Sequence, residues 1–573
     1  MTAAPQRTPR PRTRSGPPGR PRHTLPRLIA ALVTSLAVVV AGTACMTETT
    51  KVPSDYISFF GSEPQNPLIP TNTNEVNGGQ VIENIFTGIS QYTPDGEVEM
   101  GVATSVTPND DSSSFRITLR DDWSFTNGEK VTADSFINAW NWAVRPENAQ
   151  LQSAFFAAID GYADVAGETD EEGNVTTEPT ADTMSGLTKI SDTEFTITLS
   201  ASDSTFPLML GFSAFAPLPS VFYEDPEAFG EHPIGNGPYM MDGDDAWQHN
   251  VSITLKANPD YPGSTPAKNP GIAFIAYSSP TTAYADLQSG DLDHMRETVA
   301  SEAYPVYTED FPDSHDDRPY AAIQNFTIPQ DLPGFGPDEE GRLRRAAISM
   351  SIDRQLVIDK VYFGTRQIAE DFGAPTLAGG LPDIPGKEVL TYQPEKAKAL
   401  WEQANEINPW GGQKFQIAYN SDGGHQLWVE AVTNSIRQNL GIEATGKAYP
   451  TFKAMRDDVV NRTVGSAFRS GWSADYPSIA SFLVSNYRTG DSSNDGDYSD
   501  QEFDALLADA ASQSSPEAAQ PIYNQAQAIL MRDLPQIPLW YYAASTAWSP
   551  KLHNVQSGWL GMPVYTEITK DVD

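Results

Sequence analysis

Cysteine is nearly absent from this chain. Cys45 stands alone in 573 residues, so no disulfide can close within the chain and no thiolate cage for zinc can form. Histidine is also scarce: seven are scattered without metal-ligand spacing, and no His-Glu-x-x-His occurs. Cations are short as well, with 37 Lys and Arg against 75 Asp and Glu, a formal charge of −38. A surface this acidic repels phosphate backbones, which excludes nucleic-acid binding and favours solubility. Catalytic signatures fail one after another. There is no Walker sequence, Gly235-Asn236-Gly237 stops short of a dinucleotide loop, and Gly211-Phe212-Ser213-Ala214-Phe215 lacks the last glycine of a nucleophile elbow. An enzyme is therefore unsupported, and no cofactor or resident metal is expected. One look-alike remains: Asp491, Ser493, Asp495, Gly496 and Glu502 fall on calcium-loop positions one, three, five, six and twelve. A solvated loop rich in Asp, Ser and Asn produces the same match by chance, and that is the reading taken.

The scarce cations are unevenly placed. Residues 1–45 hold seven arginines and no acid, which leaves 30 basic against 75 acidic residues for the rest. The arginines lead into an apolar run from Leu28 to Val40, then the small residues Ala41-Gly42-Thr43-Ala44, then Cys45. A basic region, an apolar core and a small-residue zone read as an export signal, too short for a dependable membrane span. A cysteine just past the cleavage zone resembles a bacterial lipoprotein signal, in which the thiol is acylated. Gly42 departs from that pattern, whose third position before the cysteine is usually aliphatic. Plain secretion and a retained anchor are the alternatives. Acylation at Cys45 would hold the protein on the outer face of the cytoplasmic membrane without spanning it, with 46–50 as a tether.

A chain this long exceeds one core and implies two or three lobes. Tyr56–Phe60, Phe115–Arg120 and Phe195–Leu199 read as strands, the last two by alternation. Asn127-Gly128 marks a hairpin turn, and Thr132 opens a helix with Phe136, Ala139, Trp140 and Ala143 on one face. Gly167–Asp182 reads as an acidic, core-poor loop. Helical periodicity runs over Val81–Phe86, Arg342–Val361 (restarting at Asp353), Lys396–Ala404, His425–Leu440 and Glu517–Met531. Strands and helices alternate irregularly, which favours α/β or α+β lobes over a barrel or sandwich.

The stretch Phe468–Leu483 places Arg469 six residues before Asp475, with Gly471, Trp472 and Ser473 between them. Either an ordinary strand and turn or a fixed charge beside an aromatic wall fits it. The wider context decides. Trp123-Ser124-Phe125-Thr126-Asn127-Gly128, Asn236-Gly237-Pro238-Tyr239, Asn258-Pro259-Asp260-Tyr261, Leu343-Arg344-Arg345-Ala346, Asn439-Leu440-Gly441-Ile442, Gly471-Trp472-Ser473-Ala474-Asp475-Tyr476 and Pro538-Leu539-Trp540-Tyr541-Tyr542 follow in order. Together they resemble the oligopeptide-binding branch of bacterial ABC-transporter substrate-binding proteins, and the resemblance covers essentially everything after residue 50.

That resemblance implies a two-lobed α/β periplasmic-binding fold with a hinge. One lobe comprises 51–98, 235–322 and 544–573, with a subdomain at 99–234, and the other comprises 323–543. It implies a monomeric receptor that encloses a peptide between the lobes and delivers it to ABC permease and ATPase subunits. Asp475 matches the position that pairs with the peptide α-amino group, and Trp472 and Ser473 should line the cleft beside it. Arg469, His425 and Arg462 match or neighbour positions near the ligand's carboxyl end. Thr73–Asn77, including Asn74 and Val76, matches a first-lobe strand that meets the ligand through its backbone. A receptor of the same fold for a nickel chelate, a glycan or another amine-bearing solute stays open, as does an exported hydrolase.

Overall fold

The computed structural model describes residues 52–572, apart from 170–174, 297–302, 378–379 and 492; the leader, the tether and Cys45 lie outside them. Two antiparallel strands of thirteen residues, His315–Thr327 and Gln536–Trp548, form the axis of a mixed α/β fold. At one end Gln536–Trp548 accepts His294–Met295, and the sheet continues through Ile57–Gly61, Gly271–Ala276, Ser252–Ala257 and Tyr239–Met241. At the other end His315–Thr327 accepts Ala467–Ser473, followed by Lys414–Asn420 and Glu443–Tyr449. The two long strands thus belong to both lobes. Between Pro319 and Ile323 their register shifts. Pro319 has no N–H for the ladder, and a gap in the ladder is where two halves can bend against each other.

Two large hydrophobic cores flank this axis. One gathers Ile57, Phe59, Ile82, Trp123, Phe136, Trp140, Phe215 and Ile272. It is shared with the four-stranded sheet Ala103–Pro108, Ser114–Leu119, Glu194–Thr198 and Leu187–Ser191. The other gathers Phe326, Ile348, Trp401, Trp428, Leu483, Leu530, Trp540 and Tyr541. Trp540 and Tyr541 are therefore packing residues, as their place in an apolar run suggests.

Most expected elements form where their local chemistry puts them. Thr132 caps the helix Ala133–Val144 in a reciprocal box with Ser135, and the face Phe136, Ala139, Trp140 and Ala143 is buried. Asp353 accepts from the Leu356 N–H and restarts the helix at Arg354, although Leu356 itself faces solvent. Tyr239–Met241 pairs antiparallel with Ser252–Ala257.

Two segments differ. Gly167–Asp182 contains a short hairpin, Glu168–Thr169 with Val175–Thr177, where β-branched residues outweigh the acidic surroundings. Thr73–Asn77 contains no strand. Glu75 instead takes the N-cap position, accepts from the Asn77 and Gly78 N–H groups, and starts the helix Val76–Ile85. A carboxylate there satisfies two otherwise orphaned donors, which extends the helix a full turn upstream of its apolar stripe.

Candidate functional site

The strand Ala467–Ser473 is covered along one edge by His315–Thr327, in register from Thr327↔Phe468 to Ala322↔Ser473. Its other edge meets Lys414–Asn420 only at Ala467 and Phe468. From Gly471 to Ser473 no strand covers that edge among the described residues, and both Gly471 and Ser473 are exposed. Such an edge offers main-chain donors and acceptors to an added strand. Gly471 is fixed here by sterics, since a Cβ would lie 2.8 Å from the Ile323 carbonyl oxygen.

Beyond the strand, Ala474 N–H donates to Ala321 O at 2.8 Å and directs the chain towards Asp475. The Asp475 N–H donates to Ser481 Oγ (3.0 Å), and that hydroxyl donates to Asp475 Oδ2 (3.2 Å). Ser481 lies in the first turn of the helix Ala480–Tyr487, so sequence proximity alone holds the carboxylate in place. Among the described residues Asp475 forms no ion pair. Burial pushes its carboxyl up to about 6, against the opposing hydrogen bond from Ser481.

Asp475 faces a cavity of about 410 Å³, whose wall also includes Glu83, Tyr92, Phe212, Trp559 and Met562. The Tyr92 hydroxyl donates to Leu208 O at 2.7 Å, and its ring meets Trp559 edge-on at 5.4 Å. Burial first, then the negative fields of Glu83 and Asp475, push the Tyr92 hydroxyl far up, so it stays neutral. Glu83 is exposed by surface area, yet the atoms packed around its carboxyl push it up to about 7, with the Arg296 guanidinium opposing. That surface is part of the cavity wall. Among the described residues no Lys, Arg or His lines the cavity.

The remaining expected residues divide by position. Trp472 and Ser473 lie on the open-edged strand just before Asp475. Trp472 packs partly against the neighbouring core, with its indole N–H buried and lacking a hydrogen-bond acceptor. Arg469 lies at the strand's other end, donating from Nε to Asn420 Oδ1 (2.8 Å) with its guanidinium 4.6 Å from the Phe452 ring. His425 precedes the helix Gln426–Leu440 and accepts at Nδ1 from Trp428 Nε1 (3.0 Å). A Cβ on Gly423 would touch both Asn420 and His425, so Arg469, Asn420 and His425 gather at one end.

Arg462 does not join them. Held at φ 56°, it forks onto Asp497 (2.8 and 2.9 Å) and approaches Asp495 at 3.6 Å. Nor do Asn74 and Val76, which are exposed and outside the cavity wall; Asn74 Oδ1 accepts from Asn66 Nδ2. The calcium-like loop is held by guanidinium groups, with Asp491 on Arg488 (2.6 Å) and Asp495 on Arg456 (2.5 Å). No metal-holding cluster occurs among the described residues.

Glu83, Tyr92 and Trp559 were missed by sequence reasoning. The one signal available for Glu83 is an acid interrupting the run Val81-Ile82-Glu83-Asn84-Ile85-Phe86.

Comparison with known proteins agrees with this fold. The chain is 24% identical over 492 residues to the oligopeptide-binding protein OppA of Bacillus subtilis, covering 83% of this chain and 85% of that one. The unliganded open form of the periplasmic murein tripeptide binding protein MppA superposes with a TM-score of 0.75 at 22% identity, over 91% of this chain and 98% of that one. Haemophilus influenzae OppA in complex with the peptide RPPGFSPFR gives a TM-score of 0.66 at 21% identity, over 90% and 99%. These solved structures establish the two-lobed fold. Residues 97–494 match the family described as bacterial extracellular solute-binding proteins, family 5 Middle, and the chain belongs to that family.

Proposed function

We propose that this protein is an extracytoplasmic receptor that captures peptides between its two lobes and delivers them to an ABC importer. The observation that carries the reading is Asp475: a largely buried carboxylate without a cation, at the end of an open strand edge. A buried anion left unpaired costs several kcal/mol, so the site is completed by a ligand that brings a cation. A peptide brings one at its amino end and also a main chain able to add to the edge at Gly471–Ser473. Side chains that point away from the edge can be met through water.

The charged ends of the strand set a scale. Were the chain extended throughout, six residues at about 3.3 Å each would separate Arg469 from Asp475 by up to roughly 20 Å, the span of an extended peptide of about six residues. In this reading Trp472 and Ser473 flank the ligand's amino end, and Arg469 with His425 meets its carboxyl end. An arginine suits that role because its planar fork can donate two hydrogen bonds to a carboxylate. The lobes, 51–98 with 235–322 and 544–573 against 323–543, close about the strands His315–Thr327 and Gln536–Trp548. Acylation at Cys45 tethers the receptor to the membrane surface.

Calorimetry with a mixed peptide library, followed by mass spectrometry of what co-purifies, tests the reading. Peptides with free amines should be recovered and bound reversibly without being cut. Recovery of non-peptide solutes alone, or hydrolysis of the peptides, would overturn it.

A further inference from the structure

In a site that needs only to recognise a terminal amine, one carboxylate suffices. This cavity has a second. Glu83 lies on the helix Val76–Ile85 in the opposite lobe from Asp475, and both face the same space. Among the described residues, Glu83 accepts no hydrogen bond and forms no ion pair. The other lining acids are already engaged: Glu99 accepts from Gln91 and Ser264, and Glu567 pairs with Lys268. Arg296 lies behind the wall, outside the lining. It donates to Met562 Sδ at 2.9 Å, and its field eases the charge on Glu83 without completing it. The cavity that both carboxylates line also has the aromatic residues Tyr92, Trp559 and Tyr261 in its wall, suited to an alkyl stem. Its volume falls within the range of ordinary ligand pockets.

We infer that Glu83 makes this receptor select ligands whose first residue is cationic, with the α-amine on Asp475 and the side-chain ammonium or guanidinium on Glu83. The inference rests on the peptide-capture reading and adds a preference to it. The two charges would be met by carboxylates from different lobes, so a lysyl or arginyl ligand bridges the cleft through its first residue. A neutral first residue leaves Glu83 desolvated and unanswered, and an acidic one is repelled.

The test is calorimetry on the full chain with three tetrapeptides that differ only at the first residue: lysine, norleucine and Nε-acetyl-lysine, each followed by three alanines. The lysine peptide should bind about tenfold or more tightly than either neutral analogue, the discrimination expected of one charge-assisted contact. In Glu83→Gln, checked for native folding by near-ultraviolet circular dichroism, the lysine-to-norleucine ratio should fall to within about twofold. Equal affinity for the three peptides in the unmodified protein overturns the role of Glu83 and leaves peptide capture standing. A ratio that persists in Glu83→Gln does the same. Failure of all three peptides to bind overturns peptide capture itself, and this inference with it.

Discussion

The two ends of the strand Ala467–Ser473 treat charge in opposite ways. At the Asp475 end a carboxylate is held by one serine in a cavity with no lining cation among the described residues. At the Arg469 end the guanidinium already has Asn420 and the Phe452 face. In the proposed receptor, an incoming ammonium would therefore relieve an unmet cost, while an incoming carboxylate would compete with existing contacts. The amino end of a ligand should be worth more in binding free energy than the carboxyl end, although both ends carry one charge.

The largest test of that asymmetry is Asp475→Ala. Truncating one partner of a buried charge pair costs about 3 kcal/mol or more, so peptide affinity should fall at least about a hundredfold by calorimetry. N-acetylation of the peptide should weaken binding to the unmodified protein comparably. Normal affinity in either case would erase the contrast.

The pH dependence is the next largest. Asp475 must be ionised to pair with an ammonium, and its carboxyl titrates at about 6. Affinity should fall by up to about tenfold per pH unit below that value. Binding near pH 6 should also release protons, seen as a calorimetric enthalpy that varies with the buffer's ionisation heat. Glu83, raised to about 7, acts in the same direction for cationic first residues.

Stability should move the opposite way. A carboxyl raised from 3.8 to about 6 on folding binds protons more tightly in the native state. Its cost is absent at low pH, grows as pH rises from about 3.8 to 6, and is full above that. Asp475→Asn should therefore stabilise the ligand-free protein at pH 7 by about 1–2 kcal/mol, discounted for the side chain's partial access to water, and should not do so at pH 4. Thermal unfolding at the two pH values reads this directly.

The smallest effect belongs to the other end. Arg469→Ala should weaken free-acid peptides by only a few-fold, about 1 kcal/mol, and should narrow their advantage over carboxyl-amidated ones. A hundredfold loss there would reverse the comparison.

How far the sequence carried depended on whether a feature was local. Thr132 with Ser135 and Asp353 with its N–H acceptor role are caps within a few residues of what they cap, and both were legible. The placement of Asp475 is local in the same sense, since its holder, Ser481, is six residues away. Arg462 misled because its position in the chain suggested the cleft, while a left-handed backbone and Asp497, 35 residues on, turn it elsewhere. Thr73–Asn77, matched to a first-lobe strand, instead holds the acidic cap Glu75 and the start of a helix at Val76, which the match did not reveal. Glu83 needed tertiary knowledge. Whether an acid on a helix faces water or a pocket depends here on Phe212 and Trp559, brought in from far along the chain.

The gap in the ladder at Pro319–Ile323 has one more outcome. Ala321, inside it, takes its N–H bond to Trp559 O and receives the N–H of Ala474, so the bending point touches both the aromatic wall and the residue next to Asp475. A bend there would act on the Trp559 wall and on the turn carrying Asp475 at the same time. In the receptor proposed above, opening the cleft and loosening what it holds would then be a single mechanical event.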